Sequence, residues 1–146
     1  VDAIFVRMGA RDSIFTGQST WNVELSDCNS MLQQATPHSL VVLDEFGRGT
    51  ATSDGIALAA AVMRWLVNRR CLSLFSTHYH LLAQEAGEDV MLWHMACEVD
   101  EKDDVTFLYK IRQGVCPSSY GVNVARLAGL PAGVLNRASE VIKMNE

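Results

Sequence analysis

No apolar run in this sequence approaches the ~20 residues that a membrane-spanning helix needs. The opening residues, Val1-Asp2-Ala3-Ile4-Phe5-Val6, lack the charged start and small-residue cleavage site of a secretory signal. An initiator methionine is also lacking, as expected of a piece of a longer protein. The four cysteines, Cys28, Cys71, Cys97 and Cys116, form no CxxC pair. A zinc knuckle and a dithiol redox motif are therefore not indicated, and reduced, separate thiols are expected. There is no basic excess: Lys and Arg number 12 against 17 Asp and Glu, a net charge of -5. An acidic module grips a phosphate backbone poorly, so any DNA contact is expected elsewhere in a longer protein. Nowhere is there a Gly-x-x-x-x-Gly-Lys-Ser/Thr segment, and hence no P-loop to cradle α- and β-phosphates. Internal repeats and low-complexity tracts are absent as well.

What is present suits one domain, or most of one, with apolar content enough for a single core: 146 residues, 49% hydrophobic. Val1 to Val6 reads as a short strand, and Gly9 to Gly17 as a polar loop. Ser19 to Ala35 has helical spacing through Trp21, Val23, Leu25, Met31 and Leu32, with Ser19 or Thr20 as cap and Pro37 as terminator. Ser39 to Leu43 contains Leu40-Val41-Val42-Leu43, apolar on both faces, the mark of a central parallel strand. After a loop at Gly47 and Gly49, Ser53 or Asp54 is the expected cap of an Ala-rich helix reaching about Asn68. Cys71 to Phe75 is a second buried-strand candidate. Val90 to Val99 and Val105 to Ile111 read as an antiparallel hairpin around an acidic turn, because Val105, Phe107, Tyr109 and Ile111 alternate with polar residues. Leu108 breaks that alternation. Two helices follow, about Ser118 to Ala128 and Pro131 to Met144, with Gly129 as a stop.

Strand, loop, helix, strand from Ser39 to Phe75 is a βαβ unit, whose two strands run parallel. Asp44-Glu45 and His78 then fall at the carboxyl ends of neighbouring strands, the edge where open α/β sheets bind ligands. An Asp-Glu pair there suits phosphoryl transfer: Asp44 to hold Mg²⁺ through water, Glu45 to orient or deprotonate an attacking water. His78 could donate a hydrogen bond to a terminal phosphate in either protonation state. Gly17-Gln18-Ser19-Thr20 at a helix start could receive an anion on backbone N–H groups and the Ser19 hydroxyl. Taken singly, each feature has an ordinary explanation. Acidic pairs end strands on entering solvent, a histidine can cap or pack, and Ser19 can be a plain N-cap. His78 and His80 could also belong to a metal site, although no third ligand lies nearby in sequence.

Together and in this order, the segments resemble the MutS family of mismatch-repair ATPases. Arg7-Met8-Gly9-Ala10-Arg11-Asp12 is similar to a motif of that family, and Gly17-Gln18-Ser19-Thr20-Trp21 with Val23-Glu24 is similar to its signature segment. Ser39 to Thr52 resembles Walker B and the D-loop, and Ser76-Thr77-His78-Tyr79-His80 resembles the switch-histidine segment. Ser119-Tyr120-Gly121 and Leu127-Ala128-Gly129-Leu130-Pro131 resemble the C-terminal segment. His94-Met95-Ala96-Cys97 and Cys116 to Gly121 look like a eukaryotic, mismatch-binding branch whose members pair with another MutS homologue. Trp21 stands where the family usually has Phe, and Gln18 where it often has a charge.

The resemblance implies an α/β fold, a P-loop NTPase of ABC type without its P-loop. A parallel sheet with flanking helices, an antiparallel hairpin and a C-terminal helical segment would compose it. Residues 1–115 would be the C-terminal part of the ATPase domain, and 116–146 a dimerisation segment. It implies an ATP- and Mg²⁺-dependent ATPase in the intact protein, nuclear if eukaryotic, with this chain inactive alone. Asp44 would bind the metal, Glu45 would direct water and His78 would sense the γ-phosphate. Gly17, Ser19 and Thr20 would face nucleotide held by the partner subunit, and Gly47-Arg48-Gly49-Thr50 would form the D-loop across that interface. Mismatched DNA would be bound by domains outside these residues. Three other readings stay open: an interaction module alone, another ABC-type ATPase, and a two-metal phosphoesterase using Asp44, Glu45, His78 and His80.

Overall fold

The computed structural model describes residues 1–9, 19–100 and 104–144, in two compact units, Val1–Val90 and Met91–Glu146. The fold is mixed α/β. In the first unit, strands β1 (Ile4–Arg7), β2 (Leu40–Asp44) and β3 (Leu72–Ser76) form a sheet in that order, parallel throughout. Helix α1 (Thr20–Gln34) links β1 to β2, and α2 (Thr52–Arg69) links β2 to β3. The apolar run at Leu40 thus becomes the central strand, as a run apolar on both faces predicts.

The register fixes which residues share a face. Ile4, Leu40 and Leu72 are aligned, as are Val6, Val42 and Leu74, and Asp44 pairs with Ser76. Val41 and Leu43 lie on the opposite face and are fully buried. There they join Cys28 and Met31 of α1 and Ala59, Val62 and Leu66 of α2, spaced so that each helix turns one stripe inward. Each such large side chain withdrawn from water contributes about 1.5–3 kcal/mol. The first face is different: Ile4, Val6, Leu72 and Leu74 are each about 60% exposed.

Several boundaries differ from the sequence reading. The first strand begins at Ile4 and continues to Arg7, whose guanidinium lies 3.6 Å from Asp27 of α1. Helix α2 starts at Thr52 with Ala51 as its N-cap, so neither Ser53 nor Asp54 caps it; Asp54 sits inside the first turn, where its charge suits the helix dipole. A short helix, α3 (Leu82–Glu85), follows β3 and has no counterpart in the expectation.

The second unit contains the expected antiparallel hairpin, β4 (Trp93–Val99) and β5 (Val105–Gln113). Its alternating residues do not form a buried face. Only Val105 is buried; Phe107 and Ile111 are exposed, and Tyr109 is 85% exposed. The strand is also irregular: Cys97 pairs with Phe107 but Met95 with Ile111, and Tyr109 takes a left-handed φ of 53°. Helices α4 (Gly121–Leu127) and α5 (Ala132–Met144) follow, the former starting three residues later than expected. Between them Gly129 adopts φ 82°, a conformation that ends helices.

Candidate functional site

Parallel pairing of β2 and β3 brings their carboxyl ends side by side. The Glu45 N–H donates to the Ser76 carbonyl at 3.0 Å, and the Ser76 hydroxyl donates to Asp44 Oδ1. The chain turns sharply past Asp44, with Glu45 itself at φ 50°. A non-glycine residue held in this left-handed region costs about 1–3 kcal/mol, so its surroundings must impose it. His78 lies two residues beyond β3, its Nδ1 4.0 Å from Glu45 Oε1. Both side chains remain substantially open to solvent. The rim expected from the βαβ argument is therefore present: Asp44, Glu45 and His78 share one edge. Arg48 also reaches it, its guanidinium donating to Glu45 Oε2.

The loop after Glu45 is built on close backbone approach. Gly47 has φ 97°, and a Cβ there would lie 2.8 Å from the Gly55 carbonyl oxygen. Conversely, a Cβ on Gly55 would lie 2.7 Å from the Tyr79 hydroxyl and closer still to the Gly47 oxygen. Gly49 runs against the first turn of α1: a Cβ there would be 3.1 Å from that of Trp21. The Trp21 ring in turn lies 5.8 Å from Phe46, which is buried beneath the loop. Thr50 is partly buried and leads into α2. Ser19 caps α1 by accepting the Asn22 N–H at 3.2 Å, and Thr20 is the first helical residue. A capping hydroxyl accepts through a lone pair and keeps its proton to donate. Gly17 and Gln18 lie outside the described residues.

Three contacts at this site were not read from the sequence. The Tyr79 hydroxyl, buried, donates to the Gly47 carbonyl at 3.0 Å, and the Gly47 N–H donates to Glu24 Oε1 at 2.9 Å. The Tyr79 and His78 rings lie 4.3 Å apart between centroids. Gly55 carried a signal: a glycine one turn into a helix, where alanine is preferred, often marks close packing of another backbone. His80 is exposed, and among the described residues no group of three or more His, Cys, Asp or Glu side chains is placed to hold a metal ion.

The profile of the family described as MutS domain V matches residues 1–146. The chain belongs to the MutS family. Among its MutS relatives, "DNA mismatch repair protein MSH6" of Arabidopsis thaliana is 55% identical over 153 residues, covering 100% of this chain and 11% of that protein. "Probable DNA mismatch repair protein Msh6" of Drosophila melanogaster is 52% identical over 155 residues, covering 100% and 13%. The human "DNA mismatch repair protein Msh6" is 48% identical over 159 residues, covering 100% and 12%. This chain thus spans between 11% and 13% of the length of these curated relatives. The similarity supports the eukaryotic branch suggested by the His94 and Cys116 segments, that of the sixth MutS homologue.

Proposed function

We propose that this chain supplies the hydrolytic rim and the dimer-facing loops of an ABC-type, P-loop NTPase domain in a DNA mismatch-repair protein. ATP binding and hydrolysis in a dimer with a second MutS homologue would control mismatch recognition and clamp movement on DNA, in the nucleus. The observation that carries this reading is the convergence of Asp44, Glu45 and His78 on one edge of a parallel sheet. Names of the relatives, all mismatch-repair proteins, support the process. The exposed apolar face of the sheet supports the view that the P-loop and further layers come from outside these residues. Residues 1–115 would belong to the nucleotide domain and 116–146 to dimerisation, a functional division distinct from the compact units.

The donor set at the rim fits Mg²⁺. Asp44 and Glu45 offer carboxylate oxygens beside the Ser76 hydroxyl, hard ligands for a hard cation that retains water. Asp44 would hold the ion, which when bound neutralises phosphate charge. Glu45 has the chemistry to accept a hydrogen bond from the attacking water and take its proton. His78, 4.0 Å from Glu45, would donate to a γ-phosphate oxygen. Arg48 donates to Glu45 Oε2, which leaves Oε1, on the His78 side, to accept from water. Ser19, Thr20 and Gly17 would present the start of α1 to nucleotide on the partner subunit, with Gly47, Arg48, Gly49 and Thr50 crossing the same interface.

Glu45→Ala in the full-length dimer tests the assignment. Removing the water-directing group should leave ATP binding intact and slow hydrolysis at this subunit's site about 100-fold or more. Filter binding and single-turnover phosphate release separate the two effects. Normal hydrolysis in the variant would remove Glu45 from the role.

A further inference from the structure

Gly47 is held from two sides. Its N–H meets the Glu24 carboxylate from α1, 23 residues earlier, and its carbonyl meets the Tyr79 hydroxyl, 32 residues later. Neither contact is peripheral: Tyr79 is 8% exposed and Gly47 is buried. Gly55 leaves the space for this meeting, since any side chain there would strike both the Gly47 oxygen and the Tyr79 hydroxyl. Tyr79 is itself tied locally, its N–H donating to Thr77 Oγ1 at 3.0 Å, and its ring rests against that of His78. The segment bearing His78 and the turn bearing Glu45 are thereby joined twice: once at the sheet, through Glu45 N–H to Ser76, and once beyond it, through Tyr79 to Gly47.

Two anchors matter because the turn is unfavourable on its own. Glu45 at φ 50° and Gly47 at φ 97° are both left-handed within three residues. Without the two contacts at Gly47, the left-handed turn would be held only by the sheet bond at Glu45 and the buried Phe46 side chain, and the Glu45 carboxylate would be set less firmly against His78. A general base must be held within a fraction of an ångström of its productive position, and loss of that placement costs rate without costing affinity. We propose that Tyr79 and Glu24 are positioning residues that clamp Gly47 from opposite sides, fixing the Glu45 turn against His78 and linking it mechanically to α1. The clamp rests on the hydrolytic reading of Glu45. It touches neither phosphate nor water; it acts through the backbone. Because Glu24 and Ser19 stand on one helix, a shift of α1 against a partner would be felt at Gly47.

The test uses the full-length dimer with Tyr79→Phe, Glu24→Ala and Glu24→Gln, each also combined with Glu45→Gln. Tyr79→Phe and Glu24→Ala should each lower kcat about tenfold per nucleotide-binding site, with KM for ATP changed less than about twofold. Glu24→Gln, whose amide oxygen still accepts the Gly47 N–H, should restore most of the turnover that Glu24→Ala loses. In the Glu45→Gln background the clamp substitutions should have no further effect on residual hydrolysis, since they act through that side chain. Backbone hydrogen exchange across residues 45–49 should rise in Tyr79→Phe and Glu24→Ala alike. Wild-type kcat in both single variants, or full multiplication of their effects with Glu45→Gln, overturns the clamp while leaving the hydrolytic reading in place. Normal turnover by Glu45→Gln alone overturns that reading and the clamp with it.

Discussion

Cys28 lies one helical turn after Glu24, on the stripe of α1 that enters the core. Burial, with a smaller push from the Glu24 carboxylate, raises its thiol from the usual 9.0 to about 11. Burial likewise raises the thiol of Cys71. Both therefore remain protonated at neutral pH, which agrees with packing thiols and not with nucleophiles. The raised value also ties stability to alkaline pH. The contribution is fully present below pH 9, where neither state ionises, and is lost as pH climbs from about 9 towards 11, because the unfolded chain releases its proton first. Thermal unfolding of the intact protein should thus show a midpoint that falls across that window. Alkylation of Cys28 at pH 8 should proceed only as fast as the chain opens; rapid modification of the folded protein would contradict its burial. Asp2 shows the opposite sign: hydrogen bonds from Thr36 and Ser39 hold its carboxyl below the ordinary value, so this anchor of the β1–β2 edge weakens in acid.

The elements that position the rim were the most legible part of the sequence. An apolar run ending in two carboxylates, a helix of suitable length and a second apolar run dictate a parallel crossover, and this places Asp44, Glu45 and His78 on one edge before any contact is known. What stayed illegible depends on contacts between distant residues. Neither the 23-residue step from Glu24 to Gly47 nor the 32-residue step from Gly47 to Tyr79 has a periodic signature. Alternation in β5 pointed to an antiparallel hairpin, which is present, but not to the register shift between Met95 and Cys97 or the left-handed Tyr109 within it. The Ser53 and Asp54 caps failed for a similar reason: the helix begins one residue before Ser53, and both residues lie within it. At the other helix the local rule held, with Ser19 capping α1. On the proposed arrangement, Ser19→Ala should impair hydrolysis at the nucleotide site of the opposite subunit. Mixed dimers, each with one inactivated site, measure this; a defect confined to the substituted subunit's own site would reject action in trans.

At the scale of the molecule, the chain divides into two compact units. Residues 1–90 hold the sheet, the core and the rim, whereas residues 91–146 hold the hairpin and the last two helices. The first unit buries one sheet face well and exposes Ile4, Val6, Leu72 and Leu74 on the other. Exposed apolar area of this kind on a sheet usually marks a surface built to be covered. This chain spans only 11% to 13% of the matched relatives' length. On the proposed function, the rim is half of a site completed by other parts of a larger assembly. Crystallography of the full-length dimer with Mg²⁺ and a non-hydrolysable ATP analogue tests this most directly. The γ-phosphate is expected at the carboxyl ends of β2 and β3, within hydrogen-bond reach of His78 and beside the Asp44–Glu45 pair. A γ-phosphate bound away from that edge, with Glu45 and His78 facing only solvent, would contradict it.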